Sequence, residues 1–433
     1  MSTNMIAIII LLSTFTFLML IKVGIAYAIA ISASITAIYL NFPFAIMLQN
    51  TVAGMSTYSF LAVPFFVLMG EVMAVGGITD RILGLCRALV GWMPGGLALV
   101  NCIDSAFFGH MSGSSLADIA SLGTTLIPMM EKEGYDKGFA TSITIASSIE
   151  GILIPPSQNL VLYACIAGVS INAILMAGLL PGLVLTAALV VLCIVISIKH
   201  KYPRSKRYTL KEAWHEIKNA FWGFSTIIVL LVGVSIGVMT ATEAGAVAAA
   251  YALFVATVIY KELTWSKFLQ ILRNTIKTLS YVVFLVGAAS AFGWLITYLG
   301  IPKIVATALT TLSDNKWVVL LVVNAVLLVM GMFMSLGSIV VIMTPILVPA
   351  LTSLGIDPVH FGVMMILNLG IGLCTPPVGA SLYLGSAISG IPVLKLTKSM
   401  IPFYVAMFVA LLLIIFIPDF SLLLPRLLVG YGA

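Results

Sequence analysis

Apolar residues run in blocks of about 20 along the whole chain, each block long enough to cross ~30 Å of hydrocarbon as a helix. The pattern predicts full crossings near 4–21, 23–41, 59–76, 139–165 and 170–198. After a polar stretch it predicts five more, near 220–240, 242–260, 279–299, 359–388 and 400–424. Segments 78–94 and 263–278 mix basic residues with Leu, Ile, Phe and Trp at helical spacing, which predicts interfacial helices along the inner surface. Two further apolar segments, 97–127 and 317–348, exceed one comfortable span. Each carries small polar residues near its middle, Met111-Ser-Gly-Ser-Ser115 and Met334-Ser-Leu-Gly-Ser338. These read as re-entrant hairpins with tips near the midplane. The bland alternative is a long tilted helix with a Ser/Gly packing patch.

Two of the predicted crossings are interrupted by a Pro-Pro pair, in Gly151-Ile-Leu-Ile-Pro-Pro-Ser-Gln-Asn-Leu160 and Gly372-Leu-Cys-Thr-Pro-Pro-Val-Gly-Ala-Ser381. The offset between them is 221 (372 − 151). At that offset Pro128 meets Pro349, Gly134 meets Gly355, Asp136 meets Asp357 and Pro181 meets Pro402. Residues that set backbone geometry thus hold register without a gap, which reads as a duplication. Paired interruptions at matching points of two halves point to the binding site of a secondary transporter.

Composition narrows the class. The chain has 433 residues, 61% hydrophobic and 8% charged, against roughly 25% charge in a soluble domain. The fold class is therefore all-α and polytopic, in a lipid bilayer. The first apolar run has no basic residue before it and no small-residue cleavage site after it, so it reads as a retained helix. The net charge of +6 does not imply nucleic acid, because the basic residues sit in loops beside the spans. Cys86, Cys102, Cys165, Cys193 and Cys374 show no metal or disulfide spacing and read as small apolar filler.

Charge also sets the expected orientation. Seven of 21 basic residues lie between Lys199 and Lys218, which places that stretch in the cytoplasm by the positive-inside rule. Residues 1–198 form a first repeat, 199–219 a basic linker and 220–433 a second repeat. Five crossings per repeat is odd, so the copies must be inverted, with both chain ends outside. The loop Glu131-Lys-Glu-Gly-Tyr-Asp-Lys137 carries two lysines and its counterpart Thr352-Ser-Leu-Gly-Ile-Asp-Pro358 none, as inversion requires.

Unwound backbone at membrane depth survives only where protein buries it or a wet cavity meets it. Each Pro-Pro pair frees carbonyl oxygens, and each tip adds hydroxyls and free backbone groups. Alkali cations take oxygen ligands, so a tip plus a break forms a composite sodium site. One site is assigned to Ser112, Gly113, Ser114 and Ser115 with Gly151, Pro155 and Ser157. The other comprises Ser335, Gly337 and Ser338 with Gly372, Thr375, Pro376 and Gly379. A carboxylate substrate would lie between them, against Ser114, Ser115 and Ser338, with Asn159 and Ser381 as further candidates. Helix N-termini at such breaks offer N–H groups to an anion.

Glu71, Asp104, Asp118, Glu150 and Glu243 are ionisable groups within or beside apolar segments, where function is the default suspicion. For Glu71 and Glu243 the competing reading is a helix-packing or helix-end hydrogen bond. Asp118 could order the first tip and Glu150 could tune the first sodium site. His110 reads as a packed donor.

At these residues the chain resembles the large membrane subunit of tripartite ATP-independent periplasmic (TRAP) transporters. The resemblance rests on Ala62-Val-Pro-Phe-Phe-Val-Leu-Met-Gly-Glu-Val-Met73, Ser112-Gly-Ser-Ser115, Ile154-Pro-Pro-Ser157, Thr242-Glu-Ala-Gly-Ala-Val-Ala-Ala-Ala-Tyr-Ala252 and Thr375-Pro-Pro-Val-Gly379. Ala241 stands where the family often has proline. The resemblance implies an elevator-type architecture of the ion-transporter superfamily in the inner membrane. It also implies a periplasmic substrate-binding protein and a small four-helix membrane subunit as separate partners. Implied substrates are C4-dicarboxylates, sialic acid, other sugar acids and 2-oxo acids. Three other readings compete: a self-sufficient sodium- or proton-coupled anion carrier, an intramembrane protease using Ser112 or Ser114 with His110, and a passive channel.

Overall fold

The computed structural model describes residues 3–204, 207–236, 238–313 and 315–432, with backbone alone at residues 58–59 and 108–112. All regular structure among these residues is helical. The first half runs α1 (Thr3–Leu20), α2 (Ile25–Tyr39), α3 (Phe44–Met55), α4 (Ala62–Val75), α5 (Ile78–Val90), α6 (Gly96–Ser112) and α7 (Ser115–Lys132). It continues with α8 (Lys137–Ser147), α9 (Glu150–Leu153), α10 (Gln158–Ala167) and α11 (Ile171–His200). The second half runs α12 (Leu210–Ser235), α13 (Ala241–Phe254), α14 (Trp265–Tyr298), α15 (Ile301–Leu312), α16 (Lys316–Phe333) and α17 (Leu336–Thr352). It ends with α18 (Pro358–Leu373), α19 (Ala380–Ser389), α20 (Val393–Phe416) and α21 (Asp419–Val429).

Among the described residues seven helices are long and apolar enough to cross a membrane, and two bent pairs could each count as one more. The apolar core is continuous from Ala7 in α1 to Leu422 in α21. Outward-facing Phe17, Val191, Ile276 and Val405 are exposed, which suits a hydrocarbon surrounding rather than water.

Both long segments with small polar centres break where the sequence places the break. α6 ends at Ser112 and α7 starts at Ser115, and the two pack together. α16 ends at Phe333 and α17 starts at Leu336; α16 packs mainly on α18, and α17 on α10, α14 and α15. The single tilted helix is excluded in both places.

Other expectations are corrected. Segments 263–278 and 279–299 are one helix, α14, of 34 residues. Trp265 to Val286 contains no Gly or Pro to end it, and at 1.5 Å per residue it spans ~50 Å, well beyond the hydrocarbon core. α3 and α15 lie in stretches the hydropathy pattern left unassigned, because 12 residues are too few for a span. The final block breaks at Ile417–Pro418 into α20 and α21. Helix α12 begins ten residues early, inside the predicted linker. Thr209 starts it with a capping box, its N–H donating to Glu212 Oε2 at 2.7 Å and its Oγ1 accepting from the Glu212 N–H at 3.3 Å.

Candidate functional site

The first tip turns through Gly113 at φ 59°. A Cβ there would stand 2.9 Å from Gln158 Cγ, so only glycine fits both the backbone and the space. Ser114 caps α7 by accepting from the Ala117 N–H at 3.4 Å. Asn159, at the start of α10, donates from Nδ2 to the Gly113 carbonyl at 2.8 Å and fastens the tip to the first break.

The breaks come where proline denies the helix its N–H. Helix α9 stops at Leu153, and α10 restarts with Ser157 as cap, accepting from the Leu160 N–H at 3.4 Å. Ser157 also donates to the Ile152 carbonyl at 2.5 Å. In the second half α18 stops at Leu373 and α19 restarts at Ala380. Gly379, at φ 30°, donates its N–H to the Met332 carbonyl at 3.0 Å and so ties the second break to the second tip. Both Pro-Pro bonds, 155–156 and 376–377, are cis. The Tyr404 hydroxyl donates to the Cys374 carbonyl at 2.6 Å and Thr375 donates to the Ile371 carbonyl at 2.7 Å.

The two tips and the two breaks border one cavity of about 370 Å³. Gly113, Ser114 and Ser115 line it from the first tip and Ser335 and Gly337 from the second, with Asn159 beside Gln158. Ser335 and Ser338 hydroxyls are 2.5 Å apart. Ser381 is fully buried behind the wall, its hydroxyl 2.9 Å from that of Ser115, which is also 2.5 Å from Ser148 Oγ. That serine triplet joins α7, α8 and α19, elements from both halves of the chain.

The sequence-derived ligands are therefore not equivalent. Gly151, Pro155, Ser157, Ser338, Thr375, Pro376 and Gly379 stand in or beside the breaks and tips without lining the cavity among the described residues. Gly372 has a packing role: its Cβ would meet Gly331 Cα at 2.8 Å where α18 crosses α16. The Ser112 and His110 side chains lie outside the described residues. Gln158, Thr278, Met332 and Met334 line the cavity and were not singled out. Gln158 sits between two chosen positions, whereas Thr278 comes from α14 and carries no local signal.

Behind the first tip runs a buried polar chain. Ser105 donates to Asp118 Oδ2 at 2.9 Å and lies 3.0 Å from Ser147; Ser147 donates to Asn101 Oδ1 at 3.3 Å, and Asn101 Nδ2 donates to Thr144 Oγ1 at 2.7 Å. Asp104 and Glu150 are fully buried, and among the described residues the Asp104 carboxylate has no hydrogen-bond partner. Glu71 accepts from Asn274 Nδ2 at 3.0 Å between α4 and α14. Glu243 forms a capping box with Thr240, accepting its N–H at 2.8 Å. These last two are structural bonds of the kind the competing reading named.

The family model of the tripartite ATP-independent periplasmic transporter, DctM component, matches residues 12–420. The chain belongs to that family. It is 41% identical over 384 residues to the sialic acid TRAP transporter large permease protein SiaM of Vibrio cholerae, covering 89% of this chain and 90% of that protein. It is 38% identical over 385 residues to the 2,3-diketo-L-gulonate TRAP transporter large permease protein YiaN of Escherichia coli, with 88% and 90% covered. The uncharacterized protein YgiK of Salmonella typhimurium is 40% identical over 384 residues, with 88% of each chain covered. Among solved structures, the Alcanivorax borkumensis YdaH transporter, whose topology its report calls unusual, superposes at a TM-score of 0.64. It shares 13% identity, with 90% of this chain and 88% of that chain covered, so it speaks to fold alone. This member of the DctM family is a large TRAP permease of the inner membrane and not an enzyme, which displaces the protease reading.

Proposed function

We propose that this permease couples sodium entry to uptake of an organic acid. A periplasmic substrate-binding protein would deliver the acid, and a small four-helix membrane subunit would complete the complex. The observation that carries this reading is the single cavity on which both tips and both breaks converge. Carbonyl and hydroxyl oxygens are concentrated there without a fixed charge, which suits sodium and leaves N–H and O–H donors for a carboxylate. The substrates for which relatives are named, sialic acid, 2,3-diketo-L-gulonate and C4-dicarboxylate, support the organic-acid class.

On this reading one sodium ion sits at the first tip and break, and a second at the other pair. The two repeats are inverted, with the linker in the cytoplasm and both termini in the periplasm. The block of α6–α11 with α16–α21 carries the cavity across against the remaining helices, as an elevator. Moving one net positive charge inward through 100 mV yields ~2.3 kcal/mol, so two sodium ions with a monoanion draw on the potential, and a dianion needs a third ion.

The test is uptake into proteoliposomes holding this chain and the small subunit, with substrate-loaded soluble binder outside. Replacing external sodium by potassium is expected to cut uptake at least roughly tenfold, the effect of losing ~1.4 kcal/mol of coupling. Equal uptake in potassium would sink the ion assignment. Full uptake without the binder would favour the self-sufficient carrier.

A further inference from the structure

A second cavity, of about 200 Å³, lies at the base of α18, away from the tips. Its wall includes Lys316, Trp317, Asp357, His360, Leu422 and Arg426. At the equivalent place in the first half, 221 positions earlier, aromatic rings pack together. Tyr135, Phe139 and Tyr202 meet there, with Tyr202 at 4.8 Å from Tyr135 and 5.1 Å from Phe139. Gly95 there lies against the buried Ser197. In the second half Gly95 is matched by Lys316 (316 − 95 = 221), Tyr135 by Ile356 and Phe139 by His360. Ile356 and His360 thus stand where the first half has rings, and Lys316 where it has glycine.

His360 forms the floor. It is 3% exposed, and among the described residues neither ring nitrogen has a partner within hydrogen-bond geometry. The Ile415 backbone approaches the ring, and one carbonyl could satisfy only one of two nitrogens. A buried imidazole left this way is costly unless something enters the cavity to meet it. The rim supplies charge. Lys316 stands exposed over Trp317, 4.8 Å from the ring centroid. Arg426 is held only by Asp419, at 3.3 Å on the surface, a weak kind of pair that leaves guanidinium donors for another anion. Asp357, the one carboxylate among the described residues of the wall, is already engaged: its Oδ1 accepts from the Val359 and His360 N–H groups at 2.8 and 3.1 Å and from the Tyr431 hydroxyl at 3.3 Å.

We propose that this cavity is an anion site that takes one carboxylate group of a small organic acid, with Lys316 and Arg426 supplying charge and His360 an N–H. The carboxylate class rests on the organic-acid reading above; the preference for an anion comes from the cavity itself. The site is separate from the tips and breaks and needs no sodium.

The test uses full-length protein in nanodiscs, in sodium-free choline buffer, titrated with succinate while tryptophan fluorescence is followed. Trp317 lines the cavity and reports on it; Trp317→Phe identifies its share of the signal. The expected result is a saturable Trp317-dependent change, at least tenfold weaker in Lys316→Gln with Arg426→Gln. His360→Phe, which restores the phenylalanine of the first half, is expected to abolish it with the thermal midpoint kept. No Trp317-dependent change, or an unaltered one in the lysine–arginine double variant, overturns the site. A change that appears only with sodium assigns the response to the tip-and-break cavity and overturns it also. Chloride competing as well as succinate overturns the carboxylate assignment. Since uptake is not measured, failure of sodium-coupled transport would leave this outcome unaffected.

Discussion

Gly113 and Gly379 carry the tightest local constraints around the central cavity. Both have positive φ, and a Cβ at Gly379 would stand 2.6 Å from the Thr375 carbonyl oxygen. Forcing an L-residue into that region costs about 1–2 kcal/mol, and at Gly113 the Cβ would also displace Gln158. Gly113→Ala is therefore expected to lower initial uptake roughly tenfold while the purified protein keeps its size-exclusion profile; uptake at the wild-type rate would show that the tip tolerates the change. Glu243 makes the opposite case. It is an acid beside a predicted span, yet its oxygen is spent on capping Thr240. Glu243→Gln is expected to leave sodium-dependent uptake unchanged, with only a small fall in thermal midpoint. Sequence alone could nominate both residues as functional suspects, but only partner geometry separates them.

Between elements, two contacts hold the core around the cavity, the first across the two halves and the second within the later one. The Ser115–Ser381 bond joins α7 to α19, and losing it in Ser381→Ala is expected to cost about 1 kcal/mol, read as a lower thermal midpoint with weakened substrate protection. The α16–α18 crossing depends on Gly331 and Gly372. Gly372→Ala overpacks it, and overpacking typically costs about 1–3 kcal/mol; a midpoint as high as wild type would contradict the crossing. The Pro-Pro breaks were readable from the chain because proline ends helices by local sterics. The 34-residue continuity of α14 was not, because the basic residues in its first turns resembled an interfacial segment. α3 and α15 escaped for a related reason: a 12-residue apolar helix is stabilised by what it packs on, here α14 and α17, rather than by its own length.

At the scale of the molecule, the proposed mechanism requires the cavity to cross the membrane with its ions. With two sodium ions and a monoanion, the net inward charge is one per cycle, and an inside-negative potential is expected to accelerate uptake. Reversal potentials measured in proteoliposomes check the ratio directly; net flux that does not respond to membrane potential would mean an electroneutral cycle. The polar chain from Asp118 to Thr144 belongs to this scale as well. It links α6, α7 and α8 through buried side chains, which fits a block that moves as one body.

The chain by itself determined the membrane class and the paired tips and breaks, because span length, proline sterics and glycine at left-handed turns are local rules that need no partner; the family it carried as a resemblance of motifs. Only the tertiary structure decided that the four interruptions share one cavity, that Gly372 packs while Ser115 faces that cavity, and that His360 stands over empty space where Phe139 does not. Those facts depend on residues tens to hundreds of positions apart, and no periodicity along the sequence encodes which of them become neighbours.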